Sequence, residues 1–171
     1  MEKKWKRNGK LIQEPIIEYL EKIFDEELAN GFKLRVCVGT DSQKITKGKY
    51  DFATVVLITT TENLGGGTTV GRGGIIVYKS FTNTFKTMNK ELVNERMVYE
   101  VSKSVEVAYE IAPLLDLYDI PLEIHADINP NPIHDSNKAL QSAVGYILGM
   151  GYEFKVKPDA QAASHCADNL L

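Results

Sequence analysis

Leu34-Arg35-Val36-Cys37-Val38-Gly39-Thr40-Asp41-Ser42-Gln43 is the stretch from which the rest of the chain can be ordered. Its first half is a short apolar, β-branched run, the pattern of a strand that can be buried on both faces. The run passes through Gly39 and stops on an aspartate. A carboxylate at the end of a core strand is costly to desolvate unless a cation or hydrogen bonds compensate it. Taken alone, Asp41 reads as well as a turn or cap residue bonded to nearby backbone N–H groups. The choice depends on whether other carboxylates fall at matching places.

Downstream, the polar segment Lys44 to Lys49 predicts a hairpin loop, and Tyr50 to Thr60 is strongly β-prone, with Phe52, Thr54, Val55, Val56, Leu57 and Ile58. Thr61 to Gly74 is rich in turn residues, with Gly65-Gly66-Gly67 and Gly71-Arg72-Gly73-Gly74. It lacks the lysine and hydroxyl residue of a phosphate-binding loop and leads into a strand, so it reads as a flexible hairpin tip. Ile75 to Phe81 is the third strand, and three strands joined by short connections imply an antiparallel meander. Upstream, Glu14 to Asn30 predicts a helix, with Pro15 in its first turn and an apolar stripe of Ile16, Ile17, Leu20, Ile23, Phe24 and Leu28. Residues 1–12 form a basic arm, with Lys3, Lys4, Lys6, Arg7 and Lys10 around Trp5. Such an arm can track a nucleic-acid backbone, but a solvated, partly disordered terminus explains the same composition and is the reading adopted.

Beyond the meander the period changes. Asn89 to Ala112 is helical, and Val93, Met97, Glu100, Ser104, Val107, Ala108 and Ile111 fall on one stripe. Every member of that stripe is apolar or small except Glu100, whereas Glu91, Glu95, Glu106 and Glu110 sit off it and read as solvated. A lysine partner at the core edge is the competing explanation for Glu100. Pro121 to Ile128 is the fourth strand; Leu122, Ile124, Ala126 and Ile128 share one face, and Glu123, His125 and Asp127 the other. The intervening helix acts as a crossover, so this strand can lie parallel to the first. Asp127 then ends its strand as Asp41 does, and in parallel neighbours the two carboxyl ends lie side by side. Asn129 to Pro132 is a stiff loop, Asn137 to Met150 a helix, Tyr152 to Lys157 a fifth strand, and Pro158 opens a last helix that carries Asp168. With no repeat and no dividing linker, residues 1–171 read as a single domain.

Composition narrows the field without choosing a function. The hydrophobic fraction of 43% and charged fraction of 25% are ordinary for a globular protein. A net charge of −3 offers no global basic character, although a cluster of acidic site residues would itself lower the total. Two cysteines, Cys37 and Cys166, make no disulfide framework. Without a signal peptide or a long apolar run, the chain reads as cytoplasmic, with no membrane partner.

The order of elements, with Asp41, Glu100, Asp127 and Asp168 at these places, resembles the ribonuclease H-like superfamily. More narrowly, Val38-Gly39-Thr40-Asp41-Ser42-Gln43, His125-Ala126-Asp127-Ile128-Asn129 and Lys157-Pro158-Asp159-Ala160-Gln161-Ala162-Ala163-Ser164 look like a bacterial family of predicted ribonuclease H-like nucleases. The resemblance runs from about Leu34 to the C-terminus. It implies an α/β fold: a five-stranded mixed sheet, three antiparallel strands followed by two parallel ones, flanked by helices, with an extra N-terminal helix. It also implies acidic site residues at Asp41, Glu100, Asp127 and Asp168. The chain departs from the pattern in its long glycine-rich hairpin and in stopping at Leu171, just past Asp168.

Four clustered carboxylates repel, so some are expected to hold protons at raised pKa unless cations are bound. Hard divalent ions, Mg²⁺ or Mn²⁺, prefer oxygen ligands, and two of them can activate water and clamp a scissile phosphate. In that scheme Asp41 bridges two ions, Glu100 and Asp127 help hold one, and Asp168 holds the other. His165 reads as an exposed helix residue, with proton shuttling as its functional alternative. Lys44 and Lys47, just after Asp41, are the expected contacts to a phosphate backbone. The nucleic acid itself, RNA, DNA, hybrid or junction, stays open at this point. Two rivals stand beside the nuclease. One is a catalytically silent nucleic-acid- or protein-binding module on the same fold. The other is zinc chemistry at His125, Asp127 and His165, which leaves Asp41 and Glu100 unexplained.

Overall fold

In the computed structural model, which describes residues 4–86, 90–128, 141, 144, 145 and 147–171, the elements in chain order are as follows. Strands β1 (Lys6–Arg7) and β2 (Lys10–Leu11) precede helix α1 (Ile16–Ala29). Strands β3 (Lys33–Thr46), β4 (Lys49–Gly65) and β5 (Thr68–Thr84) lead to helix α2 (Lys90–Leu117). Strands β6 (Leu122–Ala126) and β7 (Glu153–Lys155) follow, and a C-terminal helix of wide π-type turns (Ala162–Ala167) closes in a 3-10 turn (Asp168–Leu170). The loop expected at Asn129 to Pro132 and most of the helix expected over Asn137 to Met150 lie outside the described residues.

The strands form one seven-stranded mixed sheet in the order β2-β1-β5-β4-β3-β6-β7, which corrects the expected five. Pairing is antiparallel from β2 across to β3 and parallel from β3 through β6 to β7. The two extra strands come from the basic arm. Asn8 and Gly9 take φ values of 49° and 76°, the left-handed pair of a two-residue hairpin turn. The hairpin docks on the free edge of β5 through Lys6 opposite Tyr78. Trp5 is buried, and the Lys79 ammonium lies 4.7 Å from its ring centroid, so this indole is not free to stack on a base. Charge density marked the arm as solvated; the Asn-Gly turn and the apolar anchor override it.

Strands β4 and β5 also run farther than expected, because their β-branched threonines stay paired almost to the tip, where Gly65 faces Thr68 across a Gly66-Gly67 turn. Helix α2 likewise continues past Ala112, with Pro113 inside it. An internal proline costs about 3 kcal/mol, but burial of Leu114 and Leu115 in the last turn is worth about 1.5–3 kcal/mol each.

Period-two alternation sorts the strands onto two layers. Val36, Val38, Val56, Ile58 and Val77 pack with Leu20 and Phe24 of α1 and Val107 and Ile111 of α2. Phe24 is fully buried, and its truncation to alanine would remove about 3–5 kcal/mol. On the opposite face Cys37, Ala53, Val55 and Leu57 pack against Ala162 and Ala167 of the C-terminal helix, whose small residues let it dock closely. The sheet is therefore covered on both faces, as its parallel half requires.

Candidate active site

The parallel pairing of β3 and β6 brings Asp41 near Asp127, although Asp41 does not end its strand as expected: β3 continues to Thr46, with Asp41 opposite Ala53 of β4, and most of the loop expected over Lys44 to Lys49 is strand. Cys37 pairs with Glu123, Gly39 with His125 and Thr40 with Ala126, where the ladder ends; Asp41 and Asp127 are the next residue on each chain segment. Alternation directs both onto the face covered by the C-terminal helix. Asp168, exposed in the last turn of that helix, contributes its charge to the surroundings of Asp41. Glu100 approaches from the other face: it is 6% exposed on α2, and the Ser42 hydroxyl donates to its Oε1 at 2.5 Å. The rest of the predicted stripe faces the sheet from Glu100 onward, whereas Val93, one turn from the start of α2, is half exposed. Glu95, Glu106 and Glu110 are exposed.

The Glu100 carboxyl is held in place by more than Ser42. Arg96, one turn earlier, sets its Nε 3.8 Å from Glu100 Oε1 and donates through Nη1 to the Ser42 carbonyl oxygen at 3.4 Å. Below it, the Ser104 hydroxyl donates to Thr40 Oγ1 at 2.9 Å, and Thr40 Oγ1 lies 3.0 Å from Thr54 Oγ1. These hydroxyls fill the inner side of β3 and β4 under Glu100.

Burial is the chief cause of proton retention at this end. It pushes Glu100 up to about 7, against the pull of Ser42 and Arg96, with Asp41 and Asp127 adding repulsion. Burial also raises Asp41; the Ser42 backbone N–H and Arg96 oppose it, and Asp127 and Asp168 reinforce it. Repulsion, the cause expected from the sequence, is thus the smaller contribution. Asp41 is coupled to all three other carboxylates.

The sequence reading missed Lys157 as a site residue. Its Nζ lies 2.9 Å from Asp127 Oδ1, and its backbone N–H donates to the Ile128 carbonyl at 3.2 Å. The signal was present as a matching alternation: acids at Glu123 and Asp127, lysines at Lys155 and Lys157 on the neighbouring strand and its extension.

His125 has a different partner set from the one that zinc chemistry requires. Cys37, Glu123 and His125 each offer a ligand atom, all within 4.8 Å of one another, close enough to hold a metal ion. Here each is already committed. The Ala162 N–H donates to His125 Nδ1 at 3.1 Å, so the ring proton sits on Nε2, which donates to Glu123 Oε2 at 3.0 Å. Glu123 Oε1 takes Lys155 Nζ and Arg35 Nη1, both at 3.0 Å. Burial raises Glu123, but His125, Lys155 and Arg35 more than reverse this and leave it below its ordinary value. Burial pushes the Cys37 thiol up to about 12. A metal would need the lone pair of Nε2, a thiolate, and release of two cations from Glu123. His165 is exposed on the C-terminal helix.

Lys44 and Lys47 are exposed in the β3–β4 hairpin, past Asp41 on the same strand. The N-terminal hairpin lies at the far side of the sheet, with β5 and β4 between it and β3.

Sheets with a parallel half of this kind place their sites beyond the carboxyl ends of the parallel strands, the end at which Asp127 follows β6. The chain belongs to the ribonuclease H-like family, whose model, described as Ribonuclease H-like, matches residues 15–170. No curated protein and no solved structure matches it.

Proposed function

We propose that the chain, as a single ribonuclease H-like domain, is a divalent-metal-dependent nuclease that hydrolyses nucleic-acid phosphodiesters. One observation supports this reading: Asp41 and Asp127 directly follow the last pair of the parallel strands β3 and β6, and both Asp168 and Glu100 lie within electrostatic reach of Asp41. The donor set fits hard cations, since it is all carboxylate oxygen and repels itself when ionised. Asp41, Glu100, Asp127 and Asp168 would hold the metal, with Asp41 central. Mg²⁺ or Mn²⁺ bound there, as a pair of ions, would supply an activated water and charge neutralisation at the phosphate. The chain's own part is to orient these oxygens. Ser42 and Arg96 fix Glu100, β3 carries Asp41, Asp127 follows β6, and the C-terminal helix carries Asp168. Lys44 and Lys47, exposed beyond Asp41 on the same hairpin, would meet the phosphate backbone.

A catalytically silent nucleic-acid- or protein-binding module is the second reading, and the Lys157 ammonium already resting on Asp127 favours it. Cleavage of single-stranded, duplex and hybrid oligonucleotides with Mn²⁺ separates the two. Wild type is expected to cleave, and Glu100→Gln to lose cleavage while keeping its fold. Removing Lys44 and Lys47 together should weaken binding measured in Ca²⁺ for all sequences alike. It should flatten the salt dependence by about 0.7 per lost single-strand contact. Absence of binding to any oligonucleotide at low salt would move the assignment to a protein-binding module.

A further inference from the structure

The end of the sheet that gathers the carboxylates also holds a cation of the chain's own. Lys157 follows β7, and its backbone N–H is bonded to the Ile128 carbonyl at 3.2 Å, which fixes the Cα beside the end of β6. From that anchor the side chain reaches Asp127 Oδ1 at 2.9 Å, with half of its surface still open to solvent. The pair differs from Lys155–Glu123 on the same two strands. Glu123 is buried and shares a second cation, Arg35, so its lysine is one part of a closed network. The side chain of Asp127 is 23% exposed, and the Asp127–Lys157 pair opens toward solvent. Asp41 and Asp168 act on the same ammonium from nearby.

We propose that Lys157 is the resident counter-ion of this site: its ammonium holds the Asp127 carboxylate in the metal-free protein and gives up that oxygen when a divalent cation binds. The inference rests on the metal-site reading above and adds its regulation, since metal uptake then requires exchange of one cation for another. An ammonium on a flexible four-carbon stem suits exchange, because it can swing out without moving backbone. Its release breaks a partly solvated ion pair, the kind whose net worth is small. Lys157 is a positioning residue in this role, not one that touches the reacting atoms.

The test measures Mn²⁺ binding by calorimetry and melting of the metal-free protein, neither of which needs turnover, in Lys157→Met and Lys157→Arg. Lys157→Met should melt lower without metal and bind Mn²⁺ about fivefold more tightly. Lys157→Arg, which keeps the charge, should stay near wild type in both. Lys44→Met controls for general field effects. Its influence on Mn²⁺ affinity should vanish at 0.5 M KCl, about a 4 Å Debye length, whereas that of Lys157→Met should persist. Wild type that binds Mn²⁺ with Lys157→Met showing equal or weaker affinity would overturn the exchange and leave the metal site standing. Binding by neither protein would overturn the metal-site reading together with the exchange. A Lys157→Met gain that disappears at high salt would reduce Lys157 to a distant charge and overturn the contact role.

Discussion

Two clusters of charge stand on the same face of β3 and β6, separated by the alternation from Glu123 through His125 to Asp127. At Glu123 the accounts balance: two cations, an imidazole and a thiol surround one buried carboxylate. Around Asp41 and Asp127, acids outnumber nearby cations, and burial raises both Asp41 and Glu100 above their ordinary values. The two clusters therefore respond to pH with opposite sign. Glu123 is depressed below 4.5, so the unfolded state binds its proton more readily, and the stability it contributes is lost as pH falls through the folded value. Burial likewise lowers His125 from 6.5, the Glu123 carboxylate only partly offsetting it, and its contribution is also lost as pH falls. Glu100 keeps its proton in the fold up to about 7 while the unfolded chain releases it near 4.5, so this group costs stability as pH rises between those values. Asp41 acts in the same direction from 3.8 upward. One cluster completes the fold. The other keeps raised carboxyls, the kind of perturbation that marks a functional-site candidate.

The comparison breaks most visibly if the clusters are mutated in turn. Glu123→Ala should cost about 3 kcal/mol in urea denaturation at pH 7, because it strands an imidazole N–H and two cations. Asp41→Asn in the metal-free protein should leave stability unchanged or raise it. Equal losses would erase the distinction between them. Next in size is the effect of metal. Mn²⁺ at ~100 times its Kd should stabilise wild type by about 2.7 kcal/mol by mass action. Asp41→Asn should lose most of that shift, and Glu123→Gln should keep it; a full shift in Asp41→Asn would remove that residue from the site. A smaller effect sharpens the pH contrast. The stability of Glu100→Gln relative to wild type should increase between pH 4.5 and 7, by roughly 1–3 kcal/mol. A difference that does not vary with pH would mean that Glu100 ionises in the fold as it does in the unfolded chain. Glu95→Gln, on the exposed side of the same helix, should stay within about 0.5 kcal/mol at every pH.

Much of this arrangement was legible in the sequence, and the physical reasons divide the rest cleanly. Glu100 could be picked from five glutamates because one helical stripe was apolar except for it. Asp41 and Asp127 could be paired because each ended an apolar run and a crossover helix made the runs parallel. Lys157 could not be singled out in the same way, since a lysine at a strand end looks solvated until the neighbouring strand is known. The N-terminal hairpin was concealed by five basic residues, although Asn8-Gly9 carried the turn signal openly. The lengths of β4 and β5 were underread because glycine next to threonine resembles loop composition, and only cross-strand pairing shows that the ladder continues.

The hairpin of β4 and β5 has one more consequence, for handling the molecule. Asp41 faces Ala53, and from there β4 runs on to Gly65, roughly 40 Å of extended chain, before the Gly66-Gly67 turn. The tip is exposed on every residue from Asn63 to Thr69 and points away from the carboxylates. A fluorophore, an affinity tag or a surface tether inserted between those two glycines sits at the opposite pole from the acidic end. Immobilised through that point, the protein would present its carboxylates to the solution with nothing of the support in the way.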